Sequence, residues 1–350
     1  MTLKQKITKS TIIFSIIMLI SVLCIFHNFF NPLIVRGLLN RFDLVSNRGN
    51  LLVHFIDVGQ GDAVAINLPD GKVLLIDNGN KDTNVSYVNY LKENVLNTKN
   101  DKIIDYLVLS HADSDHVGGT MKLLQKFKIN LIFMPKITSN SQTFEEIYEF
   151  VDKNCKYKTL GEEFEIVSKN YKLTFFEILN DEETNDSSQI IKLEYMNKSF
   201  LFTGDISTEI EDDYISKYGQ MLNCDVLKIS HHGSSTATSA EFLQAVSPTY
   251  AVISVGKNND YNHPNQEVLN LLKNNKVNTK RTDKHGDIMF VVGDDYGMKV
   301  LNGDFYITNM PLNYTIYIVV VDIILVINII IIFAKKDKKK KKLKRKTLVK

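Results

Sequence analysis

The 350 residues carry 42 Lys and Arg against 40 Asp and Glu, which gives a formal net charge of only +2. This total conceals an uneven distribution, because residues 1–36 and 335–350 are basic while residues 37–313 carry a formal charge of −11. A uniformly basic nucleic-acid-binding protein is therefore excluded. With three cysteines, a disulfide-stabilised scaffold is excluded as well.

The N-terminal segment has the composition of a membrane anchor. Residues 10–35 contain no charged side chain, and residues 11–30 are almost continuously apolar. That length crosses a hydrocarbon core of about 30 Å. A cleaved signal peptide is the alternative, but its apolar region is shorter, about 7–15 residues, and small residues rather than HNFFNP follow it. We expect an uncleaved transmembrane anchor in residues 1–36 and a linker over residues 37–50.

A second predicted transmembrane helix spans residues 314–334, which are rich in isoleucine and valine. Asp322 in its middle costs roughly 3 kcal/mol on insertion scales and, with Asn328, suggests that this helix pairs with a partner membrane protein. The polybasic tail over residues 335–350 marks the cytoplasmic side and can bind anionic lipid. Lysines also precede the first span, so we expect a cell-membrane protein with both termini cytoplasmic and an extracytoplasmic central domain.

Between the two predicted spans, apolar residues alternate as in strands or recur as in helices. The pattern predicts strands over residues 51–57, 63–68, 72–77, 103–110, 131–134, 164–167, 172–179, 190–195, 199–203, 225–230, 251–255, 288–292 and 298–301. It predicts helices over residues 85–96, 118–127, 144–151, 207–217, 240–246 and 266–272. Helices interspersed among strands in both halves favour an α/β domain with two sheets flanked by helices, covering residues 51–303.

The sharpest local signal is the sequence SHADSDHVGG, which follows a predicted buried strand. Four potential metal ligands lie within six residues, namely His111, Asp113, Asp115 and His116. A loop that turns from a strand into a helix can direct alternate side chains toward two metal ions. The two glycines that follow allow close backbone packing where the helix begins.

Two further groups of potential ligands also come just after predicted strands. Asp205 ends the sequence LFTGD, and His231 and His232 follow the strand DVLKIS. Any one of these residues alone is commonly a turn former or a helix cap. Three such groups, each directly after a strand, together predict a metal site.

The motif HADSDHVGG resembles the HxHxDH metal loop of the metallo-β-lactamase superfamily, in the HxDxDHxGG form of ComEC-type DNA-uptake proteins. The segments HFIDVGQGDA, LFTGDIS, DVLKISHHGSS and RTDKHGDI also match that family and occur in its order. The resemblance covers roughly residues 51–303. It implies a metallo-β-lactamase αββα sandwich and a metal-dependent hydrolase.

The resemblance also implies site residues and two divalent metal ions, either zinc or manganese. The six implied ligands are His111, Asp113, Asp115, His116, Asp205 and His231. In this scheme Asp205 bridges the two ions, and His232 is the alternative to His231. Asp57 and Asp77 would orient the metal loop, although both are also suited to forming turns at strand ends. Because Asp113 replaces a histidine found in many family members, the first site is rich in oxygen, which favours Mn²⁺ or Mg²⁺.

The function implied by the resemblance is that of a phosphodiesterase or nuclease acting on DNA. Two cations lower the pKa of a bridging water and hold the oxygens of the group under attack. Asp115 could accept the proton of that water, and His263 could contact a phosphate or protonate the leaving group. Ser234 could donate to a phosphate or simply cap a helix.

The acidic charge of the domain argues against DNA, because phosphate neutralisation dominates affinity for nucleic acid. A local basic groove remains possible, with four potential contributors: Lys228, Lys257, Lys280 and Arg281. One alternative is a hydrolase of small esters, lactams or cell-envelope phosphodiesters. Another is a non-catalytic scaffold of a DNA-uptake complex, which would not need a complete set of ligands.

Overall fold

The computed structural model describes residues 49–96, 103–136, 141–180, 185–294 and 297–301. Both predicted membrane spans, the linker up to residue 48 and the basic tail lie outside these ranges. Within the described ranges, no helix is long and apolar enough to cross a lipid bilayer. The architecture below is therefore that of the central domain.

Eight strands form the first sheet: β1 (Leu51–Phe55), β2 (Val64–Asn67), β3 (Val73–Ile76), β4 (Ile103–Val108), β5 (Lys128–Met134), β6 (Tyr157–Thr159), β14 (Ile288–Gly293) and β15 (Gly297–Leu301). Their spatial order is β15-β14-β1-β2-β3-β4-β5-β6. Strand β1 pairs antiparallel with β2 and with β14. Strands β3 to β6 run parallel, so their carboxyl ends lie at the same edge of the sheet.

Seven strands form the second sheet: β7 (Phe164–Val167), β8 (Tyr171–Phe175), β9 (Ile191–Tyr195), β10 (Lys198–Phe202), β11 (Val226–Lys228), β12 (Tyr250–Ile253) and β13 (Asn278–Arg281). Their order is β13-β12-β11-β10-β9-β8-β7. Strands β7 to β10 form an antiparallel meander. Strands β10 to β13 are parallel, so this sheet also brings several carboxyl ends together.

The main core lies between the two sheets and follows from the alternation of side chains along each strand. Leu51, Val53 and Phe55 of β1 are fully buried there, together with Phe200 and Phe202 of β10. The ring centroids of Phe55 and Phe202 lie 6.0 Å apart. Each such side chain contributes about 1.5–3 kcal/mol when it is removed from water, so this shared core holds the two sheets face to face.

Helices cover the outer faces of both sheets. They are α1 (Asn84–Tyr90, which continues as a π-helical turn over Leu91–Val95), α2 (Ser114–Val117), α3 (Thr120–Lys126), α4 (Gln142–Asn154), α5 (Thr208–Tyr218), α6 (Ala240–Val246), α7 (Gln266–Asn274) and α8 (Thr282–His285). Helices α5 to α7 pack on the second sheet through a core that includes Leu201 and Leu227. On the first sheet, the outward-facing His54 hydrogen-bonds Tyr90 of α1 at 2.9 Å. The four layers confirm the predicted αββα arrangement.

Two kinds of local structure differ from the sequence-based prediction. The helix predicted over residues 118–127 is α3, which begins only after Gly119, and a short helix that was not predicted, α2, ends just before Gly118. Strands β6 and β13 were not predicted. Both lie at the edge of a sheet, and their sequences, YKT and NTKR, are mostly polar. An edge strand can leave much of its surface in solvent, so it need not show an apolar alternation.

Glu211 of α5 holds the chain segment that leads into α6. Its buried carboxylate accepts hydrogen bonds from the backbone N–H groups of Thr238 at 2.6 Å and Ser239 at 2.7 Å. Burial raises the pKa of Glu211 to about 7 despite these two bonds. The segment that it anchors follows directly on the His231-His232 turn.

We expect Glu211→Gln to lower the free energy of unfolding by about 1–3 kcal/mol, because an amide NH₂ group then faces a backbone donor that it cannot satisfy. Urea denaturation of the purified chain measures this change. Glu209→Gln is the matched control, since Glu209 lies on the same helix and is exposed; we expect it to change stability by less than about 0.5 kcal/mol. Equal effects of the two substitutions would contradict this role of Glu211.

Candidate metal centre

Five potential metal ligands meet at the edge where the parallel strands of both sheets end. His111, Asp115 and His116 follow β4 in the first sheet, and Asp205 and His232 follow β10 and β11 in the second. Ligand atoms of His111, His116 and Asp205 lie within 4.8 Å of one another, and so do those of Asp115, His116 and His232. The three imidazoles are almost completely buried. We call these five residues the metal cluster.

The His116 ring is oriented by Asp77, the residue that follows β3. The His116 Nδ1 atom lies 2.8 Å from Asp77 Oδ2. Because an ionised carboxylate can only accept, Nδ1 donates, and Nε2, which faces the centre of the cluster, is the nitrogen that can exchange a proton for a cation. Burial opposes charge on this ring, but Asp205 and Asp77 outweigh it and hold the pKa of His116 well above its usual value.

Asp77 also orients His111, through the hydroxyl of Ser110. That hydroxyl donates to Asp77 Oδ2 at 2.7 Å, so its oxygen can accept from His111 Nδ1 at 3.0 Å. The His111 Nε2 atom is then the acceptor nitrogen; it is buried and has no hydrogen-bond partner among the described residues. Burial and the neighbouring His116 lower the pKa of His111 to about 3, so the ring is neutral.

The His232 ring is oriented from the other sheet. Its Nδ1 atom lies 2.8 Å from the carbonyl oxygen of Ser254, which can only accept, so Nδ1 donates and Nε2 is again the nitrogen that can exchange a proton for a cation. That Nε2 lies 3.2 Å from Asp115 Oδ2 and 3.3 Å from Asp205 Oδ2. Burial opposes protonation of this ring too, but Asp205 and Asp115 hold its pKa well above the usual value.

The spacing of these donor atoms fits a small divalent cation. His116 Nε2 lies 3.4 Å from His232 Nε2 and 3.2 Å from Asp205 Oδ2. A tetrahedral ion with bonds of about 2.0 Å separates its ligand atoms by about 3.3 Å. Without a cation, two imidazole nitrogens this close can be reconciled only by a proton that charges a buried ring. The donor set of two imidazoles and two carboxylates is also one that divalent transition metals prefer.

A second ion would have a more open and more oxygen-rich site. Asp205 Oδ1 is buried without a hydrogen-bond partner among the described residues, as is His111 Nε2, so both can accept a cation. Asp113 Oδ2 lies 3.9 Å from His111 Nε2, and the Asp113 side chain is 42% exposed. One carboxylate oxygen of Asp205 therefore faces His116 and His232, and the other could bind a second ion together with His111.

The structure distinguishes the positions of His231 and His232. His231 is placed first by the sequence because it comes sooner after the strand, but the His232 ring is the one in the metal cluster. Both residues have left-handed backbone angles, with φ of 49° and 53°. This turn directs the His232 ring inward and places the His231 ring beside His263, with centroids 5.6 Å apart.

Of the two aspartates predicted to orient the metal loop, the structure brings only Asp77 to the cluster. Asp57 is exposed, and its carboxylate accepts from the backbone N–H of Gly59 at 3.1 Å. Its own N–H donates to Asp287. Asp57 therefore forms a turn at the end of a strand, which is the alternative to orienting the metal loop. Ser234 is similarly engaged within its own loop, where its hydroxyl lies 3.0 Å from that of Thr236.

A buried ion pair lies beneath the cluster and was not predicted. The Lys228 ammonium, 1% exposed, lies 2.5 Å from Asp62 Oδ2. Burial opposes charge on Lys228, but Asp62 and Asp205 raise its pKa above the usual value. The prediction that Lys228 contributes to a basic groove is therefore wrong. Arg281 is also engaged, since its guanidinium holds both oxygens of Asp283, at 2.9 and 2.6 Å.

Three of the residues that support the cluster, Asp62, Ser110 and Ser188, were given no site role from the sequence, and Lys228 was given a different one. Ser188 contacts His111 Nδ1 at 3.2 Å and accepts from the backbone N–H of Asp205 at 3.0 Å. Lys228 gave a signal, because it is the one charged residue within the apolar strand VLKI. Asp62 lies in the matched segment HFIDVGQGDA, where Gly61 permits close packing: a Cβ there would lie 2.1 Å from the carbonyl oxygen of Asp115.

Comparison with known proteins gives concordant matches. The sequence profile of the metallo-beta-lactamase superfamily matches residues 56–257. ComE operon protein 3 of Bacillus subtilis is 32% identical over 275 residues, covering 73% of this chain and 34% of that protein. Competence protein ComA of Neisseria gonorrhoeae is 33% identical over 201 residues, covering 57% of this chain and 27% of that protein. The chain thus spans about a third, or less, of the length of these relatives.

One solved structure among those that resemble this fold is the metallo-beta-lactamase fold protein YhfI from Bacillus subtilis. It is 14% identical in sequence, with a TM-score of 0.44. The match covers 73% of this chain and 100% of that one.

The two adjacent histidines allow a direct test of the ligand assignment. We expect His232→Ala to lose one of two equivalents of Zn²⁺ or Mn²⁺, because its Nε2 is one of the closely spaced donors. His231→Ala should keep both, since its ring lies outside the cluster. Elemental analysis of the purified, metal-equilibrated chain measures the stoichiometry. Loss of metal in His231→Ala alone would restore the assignment made from sequence.

The two aspartates provide a second matched pair. Asp77→Asn should weaken metal binding by about 10- to 100-fold, because the amide no longer fixes the proton on Nδ1 of His116. Asp57→Asn, the same change at an exposed turn, should leave the affinity within about twofold. Competition with a chromogenic chelator, using the metal ion alone, measures both. Equal affinities in the two variants would show that Asp77 does not orient the ligands.

Proposed function

We propose that this chain, which belongs to the metallo-β-lactamase superfamily, is a membrane-anchored, metal-dependent hydrolase that cleaves phosphodiester bonds, with DNA as its leading substrate. The observation that carries the proposal is the set of three buried imidazoles, each with Nδ1 engaged by a neighbouring group, with Nε2 of His116 and of His232 within 3.3 Å of the same Asp205 oxygen. Such a donor set is costly to bury unless cations occupy it. A scaffold without catalytic activity would have no need to keep it intact.

We propose two divalent ions, held by His111, Asp113 and Asp205 on one side and by Asp115, His116, Asp205 and His232 on the other. Bound there, they would supply Lewis-acid activation of a phosphoryl group and of the attacking water. The formal charge of the site agrees with two divalent ions. Five carboxylates (Asp62, Asp77, Asp113, Asp115 and Asp205) and the Lys228 ammonium leave a formal charge that two divalent ions neutralise.

The residues of the chain itself would provide proton transfer and orientation. The Asp115 side chain is 25% exposed and therefore reaches the mouth of the cluster. Burial raises its pKa, but the hydrogen bond with His232 and the charge of His116 outweigh burial and lower the pKa to about 2. Asp115 is therefore ionised at neutral pH and available to accept a proton from an attacking water.

His263 is better suited to contact the substrate than to carry a proton. Its ring is partly buried beside His231, and burial together with His231 and His232 lowers its pKa. A neutral imidazole has one N–H donor, which can bind a phosphate oxygen, but it is not a general acid at neutral pH. We therefore assign His263 to binding rather than to protonation of the leaving group.

The choice of DNA is supported by the relatives, one of which is named a competence protein. Both predicted spans and the polybasic tail support attachment to a bacterial cell membrane, with the domain on the outer side and a partner membrane protein as the route for substrate. Against DNA stands the acidic domain, in which Lys228 is buried and Arg281 is paired. This observation favours the second candidate, a hydrolase of small esters, lactams or cell-envelope phosphodiesters.

We expect the purified full-length chain, loaded with Mn²⁺ or Zn²⁺, to cleave end-labelled DNA. Asp205→Ala should lower the rate by at least about 100-fold, because both proposed ions lose a ligand. Gel analysis of single- and double-stranded substrates measures the rate. Asp213→Ala is the matched control, since Asp213 is exposed on α5, and it should retain wild-type activity.

Folded, metal-loaded protein that leaves both forms of DNA intact would contradict the nuclease proposal. The same preparation is then assayed on bis(4-nitrophenyl) phosphate and on 4-nitrophenyl acetate. Hydrolysis of either compound, lost in Asp205→Ala, would establish the second candidate instead.

A further inference from the structure

Four aromatic rings lead from the metal cluster to the surface of the domain. The His232 and His231 centroids lie 6.3 Å apart, those of His231 and His263 5.6 Å, and those of His263 and Tyr261 5.7 Å. The first two contacts are edge-to-face, whereas Tyr261 is stacked on His263 with an interplanar angle of 28°. Tyr261 is 65% exposed. One face of its ring is thus supported by His263 while much of the ring faces solvent.

The loop that carries Tyr261 and His263 is held in one conformation by the side chain of Asn259. Its Oδ1 accepts from the backbone N–H groups of Tyr261 and His263, at 3.1 and 3.0 Å. Its Nδ2 donates to the carbonyl oxygens of Gly256 and His263, at 3.0 and 2.7 Å. Four bonds from one side chain fix the loop, so the two rings are placed before any ligand arrives.

The same loop is fastened to the turn that contains His231 and His232. Asn265 donates its backbone N–H to the carbonyl oxygen of Gly233 at 2.9 Å, and its side chain accepts from the N–H of Ser235 at 2.7 Å. The Tyr261 ring therefore has a fixed position relative to the metal cluster. Such a position is needed if a group bound at Tyr261 is to place a neighbouring bond at the ions.

The exposure of Tyr261 is unusual within the described residues. The large hydrophobic side chains that are exposed there are Phe150, Val167, Met196, Met221 and Tyr261, and Tyr261 is the aromatic one with more than half of its surface exposed. Exposure of an aromatic side chain to water is less favourable than its burial, because burial removes apolar surface from water. A flat ligand that covers the exposed face would recover this free energy.

We propose that Tyr261, supported by His263, forms a stacking subsite for a nucleobase of a single-stranded nucleic acid whose scissile phosphodiester lies at the metal cluster. The inference rests on the proposed function and narrows its substrate class. Single strands suit the subsite because their bases are free to leave the stack, whereas those of a duplex are enclosed. Stacking on an aromatic ring contributes about 1–3 kcal/mol per base and does not itself require a basic groove, which suits a domain of acidic composition.

The sequence allows a test that does not depend on cleavage, because the chain contains no tryptophan. Tyr261→Trp introduces a single fluorophore at the subsite, and stacking with a base quenches its emission. Fluorescence is recorded on the full-length, metal-loaded variant by rapid mixing, before bound oligonucleotide is consumed. The probes are a single-stranded ten-nucleotide DNA and a tetrahydrofuran abasic strand with the same phosphates.

Val167→Trp in the same background is the matched control. Val167 is 69% exposed and lies in β7, the edge strand of the second sheet, where it pairs with Lys172. We expect the base-bearing strand to quench the tryptophan at position 261 saturably and the abasic strand to bind about 5- to 150-fold more weakly. Emission from a tryptophan at position 167 should not change. Equal binding of the two strands without quenching at position 261 would overturn the inference.

Cleavage kinetics separate this inference from the proposed function. Tyr261→Ala should raise KM for single-stranded DNA by about 5- to 150-fold with little change in kcat, and Tyr261→Phe should restore the wild-type KM. Quenching without cleavage by any variant would support the subsite and contradict the nuclease proposal. Cleavage with the same KM in wild type and Tyr261→Ala would support the nuclease and overturn the subsite.

Discussion

The metal cluster is dominated by one electrostatic constraint, which is that buried lone pairs and carboxylates face one another. His116 Nε2 and His232 Nε2 lie 3.4 Å apart, and each lies within 3.3 Å of the same Asp205 oxygen. Protons can relieve this arrangement only by charging two buried rings, against the cost of burial. Divalent cations relieve it directly and also serve the unpartnered His111 Nε2. The electrostatic cost of an empty cluster and the spacing of its donor atoms thus both indicate a divalent cation.

The fold meets this constraint by assigning orientation to groups from both sheets. Asp77, at the end of β3, fixes His116 directly and His111 through Ser110. The Ser254 carbonyl, just after β12, fixes His232 from the opposite side. Because the carboxyl ends of parallel strands meet at this edge in each sheet, the orienting groups arrive without long loops. The core between the sheets therefore determines ligand geometry as well as stability.

The layers and most of the cluster could be predicted from the sequence because they depend on local pattern. Apolar alternation marked the strands of the core, and the spacing in HADSDHVGG marked three members of the cluster. The choice between His231 and His232 could not be made, because it depends on two consecutive left-handed backbone conformations that their sequence does not specify. Nor could the burial of Lys228, since its partner Asp62 lies 166 residues earlier in the chain. A count of charged residues treats Lys228 as available to bind phosphate, whereas in the fold it is paired with Asp62.

That pairing changes how a polyanionic substrate could be recognised by this domain. Binding through lysines and arginines acts over a Debye length, about 8 Å at physiological salt, whereas stacking and metal ligation act only at contact. Lys228 is buried and Arg281 is bound to Asp283, so two of the four potential contributors to a basic groove are not free to attract phosphate, although Lys257 is exposed. Under the two proposals, phosphate would bind at the metal cluster and a base would bind at Tyr261. The proposed base contact suits a strand that has already been separated, as would be expected of a domain attached, as proposed, to a membrane beside a partner rather than one that searches for DNA in solution.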